Sequence, residues 1–100
     1  MQLFVVTWQF ESSEDQTFAG DALIEYVESG KSQESLEGYE RLAWVHLPQD
    51  GTGLIICKAA NASILYKVFG PWREKFGMIW TYKPGLSTEE LVLLLKETRE

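Results

Sequence analysis

The chain opens with an apolar segment that contains neither Gly nor Pro, QLFVVTWQF at residues 2–10. Its β-branched and aromatic residues predict a strand. Polar residues follow, and Ser13 with Gln16 three positions later matches a capping box. Apolar residues then recur at helical spacing until Gly30, a natural helix stop. The pattern therefore predicts a strand and then an amphipathic helix over 14–29.

The middle of the chain predicts a β-hairpin. After a polar, aperiodic loop at 30–38, the segment YERLAWVHL at 39–47 is typical of a second strand. The following residues, PQDGTG, have the composition of a turn, and LIICKA at 54–59 predicts a third strand. The turn is longer than the two residues of the tightest hairpins.

The second half predicts a helix, a strand and another helix. Asn61 or Ser63 can cap the first of these helices. We expect a kink or a restart at Pro71, because proline removes a backbone donor and clashes with the preceding turn. GMIWTYKP at 77–84 predicts the fourth strand, and the capping-box sequence STEE opens a C-terminal helix at about 87–99.

These elements follow the order β-α-β-β-α-β, with one further helix. This is the ferredoxin-like pattern of an α+β fold: a four-stranded antiparallel sheet with two helices on one face. The length of 100 residues suits one domain covering 1–100.

The second face of this sheet needs cover of its own. A face that meets water should be polar, yet neither set of alternate residues along the four strands is. Leu3 and Val5 lie opposite Phe4 and Val6 in the alternation. Either the C-terminal helix folds across the uncovered face, or a second copy stacks its sheet there. We expect the second arrangement, a homodimer through the sheet face, because the apolar run LVLLL of the C-terminal helix also needs cover, which the neighbouring subunit can supply. Two-fold dimers are also the commonest oligomers.

Composition narrows the classes of partner. Nine basic and fifteen acidic residues give an acidic chain of net charge −6, and no basic cluster suits nucleic acid or an anionic membrane. No apolar run is long enough to cross a bilayer, and the N-terminus lacks the features of a signal peptide. The single cysteine fits a reducing compartment. These observations predict a soluble, cytoplasmic protein.

The candidate chemistry centres on the single histidine, His46. Its imidazole suits proton transfer near neutral pH, although a strand-end histidine can equally bond backbone or water. An aromatic set could wall a pocket for a flat apolar ligand, or form core beneath the helices; the strand register decides which. Its members are Phe4, Trp8, Trp44, Trp80 and Tyr82.

Other residue types point to no additional chemistry. Cys57 has no second sulfur and no basic neighbours in sequence, which favours a small buried hydrophobe. One histidine and one cysteine do not make a metal site, and no phosphate-binding glycine motif occurs. We therefore predict neither a metal nor a cofactor.

Several segments together resemble a known family. LFVVTWQF, WVH, GLIICKA and PWREKFGM, followed by a strand ending YKP, are similar over roughly residues 2–84 to a small uncharacterised bacterial family. That family is a domain of unknown function in the dimeric α+β barrel superfamily. The resemblance implies a ferredoxin-like subunit and a sheet-to-sheet dimer. The superfamily includes cofactor-free monooxygenases, haem-degrading enzymes, isomerases and effector-binding modules, among which the fold does not choose.

Two functional hypotheses follow. The first is a dimeric module that binds a small apolar or aromatic ligand through Trp8, Trp44, Trp80 and Tyr82, or serves only in assembly. The second is a cofactor-free enzyme, monooxygenase-like or isomerase-like, with His46 as proton acceptor. The first is favoured, because a lone histidine without a paired acid or nucleophile gives little warrant for catalysis.

Overall fold

The computed structural model describes residues 1–99, and residue 100 of the predicted domain lies outside that range. The predicted order of elements is confirmed. The strands and helices are β1 (Gln2–Gln9), α1 (Ser13–Glu28), β2 (Tyr39–Leu47), β3 (Thr52–Ala59), α2 (Ala62–Phe76), β4 (Ile79–Gly85) and α3 (Thr88–Thr98), with a short 3-10 turn at Lys31–Gln33 in the loop before β2.

The four strands form one antiparallel sheet in the order β2-β3-β1-β4. This is the ferredoxin-like arrangement expected from the sequence. The register places Trp8 of β1 between Gly53 of β3 and Trp80 of β4. A bulge between Arg41 and Ala43 shifts the pairing of β2 with β3.

Two local details differ from the sequence prediction. The cap of α1 is Ser12, whose hydroxyl accepts a hydrogen bond from the backbone N–H of Asp15 at 3.1 Å, rather than Ser13. Of the two expectations at Pro71, a kink or a restart, the restart is wrong, since α2 is one continuous element through the proline. Burial of Leu65 before Pro71 and of Met78 just after the helix fixes both ends of α2 on the sheet. That packing outweighs the loss of about 3 kcal/mol that an internal proline causes.

The core lies between the sheet and α2. Leu65 and Phe69 are the buried residues of α2, whereas the only buried residue of α1 is Ala19. Contact between the two helices includes an edge-to-face pair of Tyr26 and Trp72, with ring centroids 5.8 Å apart. The buried cluster comprises Phe4, Val6, Trp8, Ile55, Cys57, Ala59, Leu65, Phe69 and Met78.

The opposite face of the sheet, here called the open face, is largely apolar and exposed. Val45 is 44% exposed and Leu47 is 39% exposed, and the strand alternation places six more apolar residues beside them. These are Leu3, Val5, Ala43, Leu54, Ile56 and Ile79. Thr7 and Thr81 interrupt them with a mutual hydroxyl hydrogen bond of 3.1 Å. Polar residues also lie towards the two ends of this face, namely Gln9, Thr52, Lys58 and Lys83. The prediction that neither face is polar therefore holds.

The C-terminal helix does not cover the open face. Ser87 and Glu90 form the predicted capping box, each side chain bonding the other's backbone N–H at 3.1 Å. No residue of α3 is buried. The alternative in which this helix folds across the open face of its own subunit is therefore wrong, and residues such as Val45 remain exposed.

Candidate functional site

The strand register resolves which aromatic residues share a face. All five predicted aromatic residues, together with His46, lie on the side of the sheet that carries the helices. One row across the sheet runs from His46 through Gly53 and Trp8 to Trp80, and the next from Trp44 through Ile55 and Val6 to Tyr82. The rings nevertheless separate into two groups, one at each edge of the sheet.

The first group, here called the His46 cluster, consists of Trp8, Arg41, Trp44 and His46. The imidazole lies 4.9 Å from the Trp44 ring, centroid to centroid, and 5.6 Å from the Trp8 ring in an edge-to-face arrangement. Trp8 is 9% exposed, Trp44 is half-buried and His46 is exposed. Exposure to solvent thus increases from Trp8 in the core to the imidazole at the surface.

A glycine makes the contact between Trp8 and His46 possible. Gly53 pairs with both residues across neighbouring strands, and the Trp8 indole lies over its Cα. A Cβ built on Gly53 would stand 2.7 Å from Cε2 and Cη2 of that indole, and closer still to Cζ2. Because real Cβ atoms essentially never approach so closely, any larger residue at this position must displace Trp8.

Arg41 adds a permanent positive charge to the cluster. Its guanidinium carbon lies 4.3 Å from the Trp44 ring centroid, a cation–π contact. Its Nη2 also donates to the backbone carbonyl of Ser32 at 3.3 Å, which ties the loop before β2 to the cluster. Arg41 is not among the site residues predicted from the sequence. In a regular strand, residues three apart such as Arg41 and Trp44 point to opposite faces, but the bulge between Arg41 and Ala43 changes this alternation.

Partial burial keeps His46 neutral over a wider pH range than a free histidine. Desolvation lowers the pKa of its imidazole below the ordinary 6.5, because burial disfavours the charged form. Among residues 1–99 the imidazole contacts indole rings, and the structure shows no hydrogen bond to it. At neutral pH the ring thus has a free acceptor nitrogen and a free N–H donor.

The second aromatic group lies at the other edge of the sheet and includes Trp80 and Tyr82. Trp80 packs against Tyr66 and Phe69 of α2, with centroid distances of 4.8 and 5.4 Å, and against Tyr82 at 6.0 Å. These contacts pack α2 against β4. The structure therefore places His46 in ring contact with both Trp8 and Trp44. Trp80 and Tyr82 lie in the second group, where Phe4 also packs edge-to-face on Tyr82 at 5.7 Å.

Cys57 and Tyr39 form a buried polar spot beneath the sheet's helical face. Cys57 is fully buried, and burial raises the pKa of its thiol to about 11. The buried hydroxyl of Tyr39 has no hydrogen-bond partner among residues 1–99, and burial raises its pKa too. A thiol held protonated away from solvent has little nucleophilic character, which agrees with the interpretation of Cys57 as a small buried hydrophobe.

A shallow depression of about 380 Å³ lies on the open face. Leu47, Leu54 and Ile79 form its apolar part, and the polar atoms come from Thr7 and Thr81 among others. A second depression of about 330 Å³ lies near Arg73 and Glu11 at the end of α2. Neither depression is predictable from the sequence, because the first depends on the strand register and the second on the packing of the α2 end against the loop after β1.

Two further observations bear on ligands and location. Among the described residues, no three His, Cys, Asp or Glu side chains are grouped so that they could hold a metal ion. Within the same part of the chain, no helix combines the length and the apolar character needed to cross a bilayer.

Comparison with known proteins identifies the family but no activity. No curated protein matches the chain. The model of a family described as a domain of unknown function, DUF3303, matches residues 2–99. This match includes every strand and helix described above, α3 among them. The chain therefore belongs to the DUF3303 family.

Proposed function

We propose that this chain forms a homodimer through the open faces of two sheets, as dimeric α+β barrel proteins do, and binds a small, flat apolar ligand at the His46 cluster. A bacterial, cytoplasmic setting is part of the same proposal, as is the absence of nucleic-acid and membrane partners. The net charge of −6 supports that absence, since it opposes association with polyanions.

The open face supports the dimer. It presents a contiguous set of exposed or half-buried apolar residues around Val45 and Leu54, and such patches on small proteins mark interaction surfaces. A stable interface buries about 800 Å² per partner, and a four-stranded face of this length offers area of that order. Two copies stacked face to face shield these residues reciprocally, which is how a two-fold interface closes.

The test of the dimer uses two valines of similar exposure. Val45 lies on the open face and is 44% exposed, whereas Val27 lies on α1 and is 49% exposed. In light scattering at micromolar concentration, we expect a dimer for the unaltered chain and for Val27→Asp, and a monomer for Val45→Asp. A monomeric unaltered chain, or equal effects of the two substitutions, would refute pairing through the open face.

The His46 cluster supports ligand binding. The single observation that carries this proposal is an exposed imidazole in ring contact with two indoles. Small-molecule sites combine apolar and aromatic walls with a few polar groups that fix orientation. Trp44 provides a ring surface, and His46 provides a donor and an acceptor at its rim. Arg41 favours ligands that carry partial negative charge.

The ligand test uses 2-naphthol, a planar aromatic with one hydroxyl. Because His46 is the only histidine, its ring protons give the only imidazole signals in a proton NMR spectrum. We expect these signals to shift on titration with 2-naphthol. The variant Trp44→Phe should weaken the binding, whereas the control Trp72→Phe, a half-buried tryptophan in the α1–α2 contact, should not. Unmoved imidazole signals at millimolar 2-naphthol would contradict the site.

A second candidate function is a cofactor-free enzyme in which His46 accepts a proton, and the exposure of its imidazole, which has no hydrogen-bond partner among residues 1–99, favours it. A neutral imidazole is the form that accepts a proton. The direct test follows the exchange of an acidic methylene proton of a 1,3-dicarbonyl for solvent deuterium by NMR. Enzymatic proton transfer predicts faster exchange with the unaltered chain than with His46→Gln, and equal exchange rates would eliminate this candidate.

A further inference from the structure

The helix α3 carries an apolar surface that its own subunit leaves in water. Every residue of α3 is exposed, including five consecutive apolar residues at 91–95, which are LVLLL. Leu93 is the most exposed of them at 61%. Exposed single leucines are ordinary on proteins, but an exposed run on one helix indicates a missing contact.

Four residues of the run form one apolar stripe along α3. An α-helix turns about 100° per residue, so Leu91, Val92, Leu94 and Leu95 share one side of the helix, whereas Leu93 lies on the side that carries Glu89, Glu90, Lys96 and Glu97. An apolar stripe of this width characteristically packs against a partner surface, with the charged side in water. We therefore expect the stripe, and not Leu93, to face the missing partner.

The subunit's own sheet and helices are out of reach of residues 91–95. The capping box of Ser87 and Glu90 begins α3 directly after β4. Hydrogen bonds from Ser87, with a smaller contribution from the charge of Lys58, lower the pKa of Glu90. Strands of this length span about 30 Å, and α3 adds about 16 Å. The chain's long dimension of 54 Å, against 28 and 20 Å in the other directions, shows that these lengths extend along the same axis.

We propose that α3 is an exchanged arm, which packs against a second copy of this chain in the dimer. The inference rests on the proposed homodimer and extends it to a surface outside the sheet. The place where α3 begins indicates that its partner is the second copy. The helix starts only three residues after the last residue of β4, Gly85, so it leaves from the border of the open face. A second copy seated on that face comes within reach of the arm.

The area agrees with this assignment. If a buried leucine removes roughly 100 Å² from water, the exposed parts of the stripe residues amount to a few hundred Å² per copy. Two-fold symmetry doubles that contribution, because each arm packs on the other subunit. The two arms would thus supply a substantial fraction of the roughly 1,600 Å² of a standard interface.

The decisive experiment mixes isotope-labelled and unlabelled full-length chains and records NOEs filtered for contacts between subunits. We expect such NOEs from the methyl groups of the apolar stripe. Intersubunit NOEs confined to open-face residues such as Val45 would overturn the exchanged arm while leaving the sheet dimer intact. NOEs from α3 alone would support the arm and refute sheet pairing. A monomer would overturn both.

Matched substitutions give an independent readout. Leu91→Glu places a charge in the apolar stripe of α3, where Leu91 is 45% exposed, and the control Val27→Glu places one on α1 at a similar exposure of 49%. We expect Leu91→Glu to raise the dimer dissociation constant at least about tenfold, and Val27→Glu to leave it unchanged. Equal dissociation constants for the two variants would overturn the proposal. The proposal would also be overturned if the chain stayed monomeric and α3 bound phosphatidylcholine vesicles instead.

Discussion

Replacing Gly53 with alanine tests the contact on which the His46 cluster is built. An added Cβ would stand 2.7 Å from Cε2 and Cη2 of the Trp8 indole, so Trp8 must move out of a site where it is 9% exposed. Overpacking of this kind costs about 1–3 kcal/mol. Alanine otherwise stabilises an extended segment by about 0.5–1 kcal/mol over glycine, and the steric term is the larger.

The net expectation for Gly53→Ala is a loss of about 1–2 kcal/mol in the free energy of unfolding. For a domain of this size, that corresponds to a fall of roughly 5–15 °C in Tm. The assay is urea and thermal unfolding followed by circular dichroism, with all variants at one protein concentration, because dimerisation makes stability concentration-dependent.

Two variants isolate the cause of this loss. Gly20→Ala is the matched control in α1, where an added Cβ meets nothing within 4 Å, and helix propensity predicts a gain of up to about 1 kcal/mol. Trp8→Phe removes the indole ring that the new Cβ strikes, so Gly53→Ala should cost less in that background than alone. An unchanged or raised Tm for Gly53→Ala would refute the close approach of Trp8 to Gly53.

Three further outcomes follow from individual residues. Leu65→Ala should destabilise the fold by about 2–5 kcal/mol in chemical unfolding, since Leu65 is fully buried; a loss under 1 kcal/mol would contradict its place in the core. The lowered pKa of His46 means that its contribution to stability is complete above pH 6.5 and is lost as pH falls through the folded pKa. Tm should therefore decline less between pH 7.5 and pH 5 in His46→Gln than in the unaltered chain, and identical declines would count against a desolvated imidazole. Cys57, whose thiol pKa burial raises to about 11, should react with Ellman's reagent at pH 8 only slowly in the folded chain and rapidly in guanidinium; rapid labelling of the native protein would show that the thiol is accessible.

The sequence alone determined the succession of elements. Alternation in β1 and β2, helical periodicity in α1 and α2, and the capping box of Ser87 and Glu90 act over a few residues. Such short-range signals do not depend on distant parts of the chain, which is why the ferredoxin-like order was predictable. The same locality explains why the expected restart at Pro71 was wrong. The sequence shows the hydrogen bond that proline removes, but not the packing on either side of it that keeps α2 continuous.

Tertiary structure decided everything that depends on strand register. Pairing Trp8 with Gly53, and Gly53 with His46, brought three sequence-distant residues into one row, and a shift of one residue would have sent each side chain to the other face. Register also separated Trp80 and Tyr82 from that cluster and left the open face apolar. The direction of α3 is likewise a tertiary fact: its apolar run is plain in the sequence, but only the fold shows that its own subunit leaves it exposed.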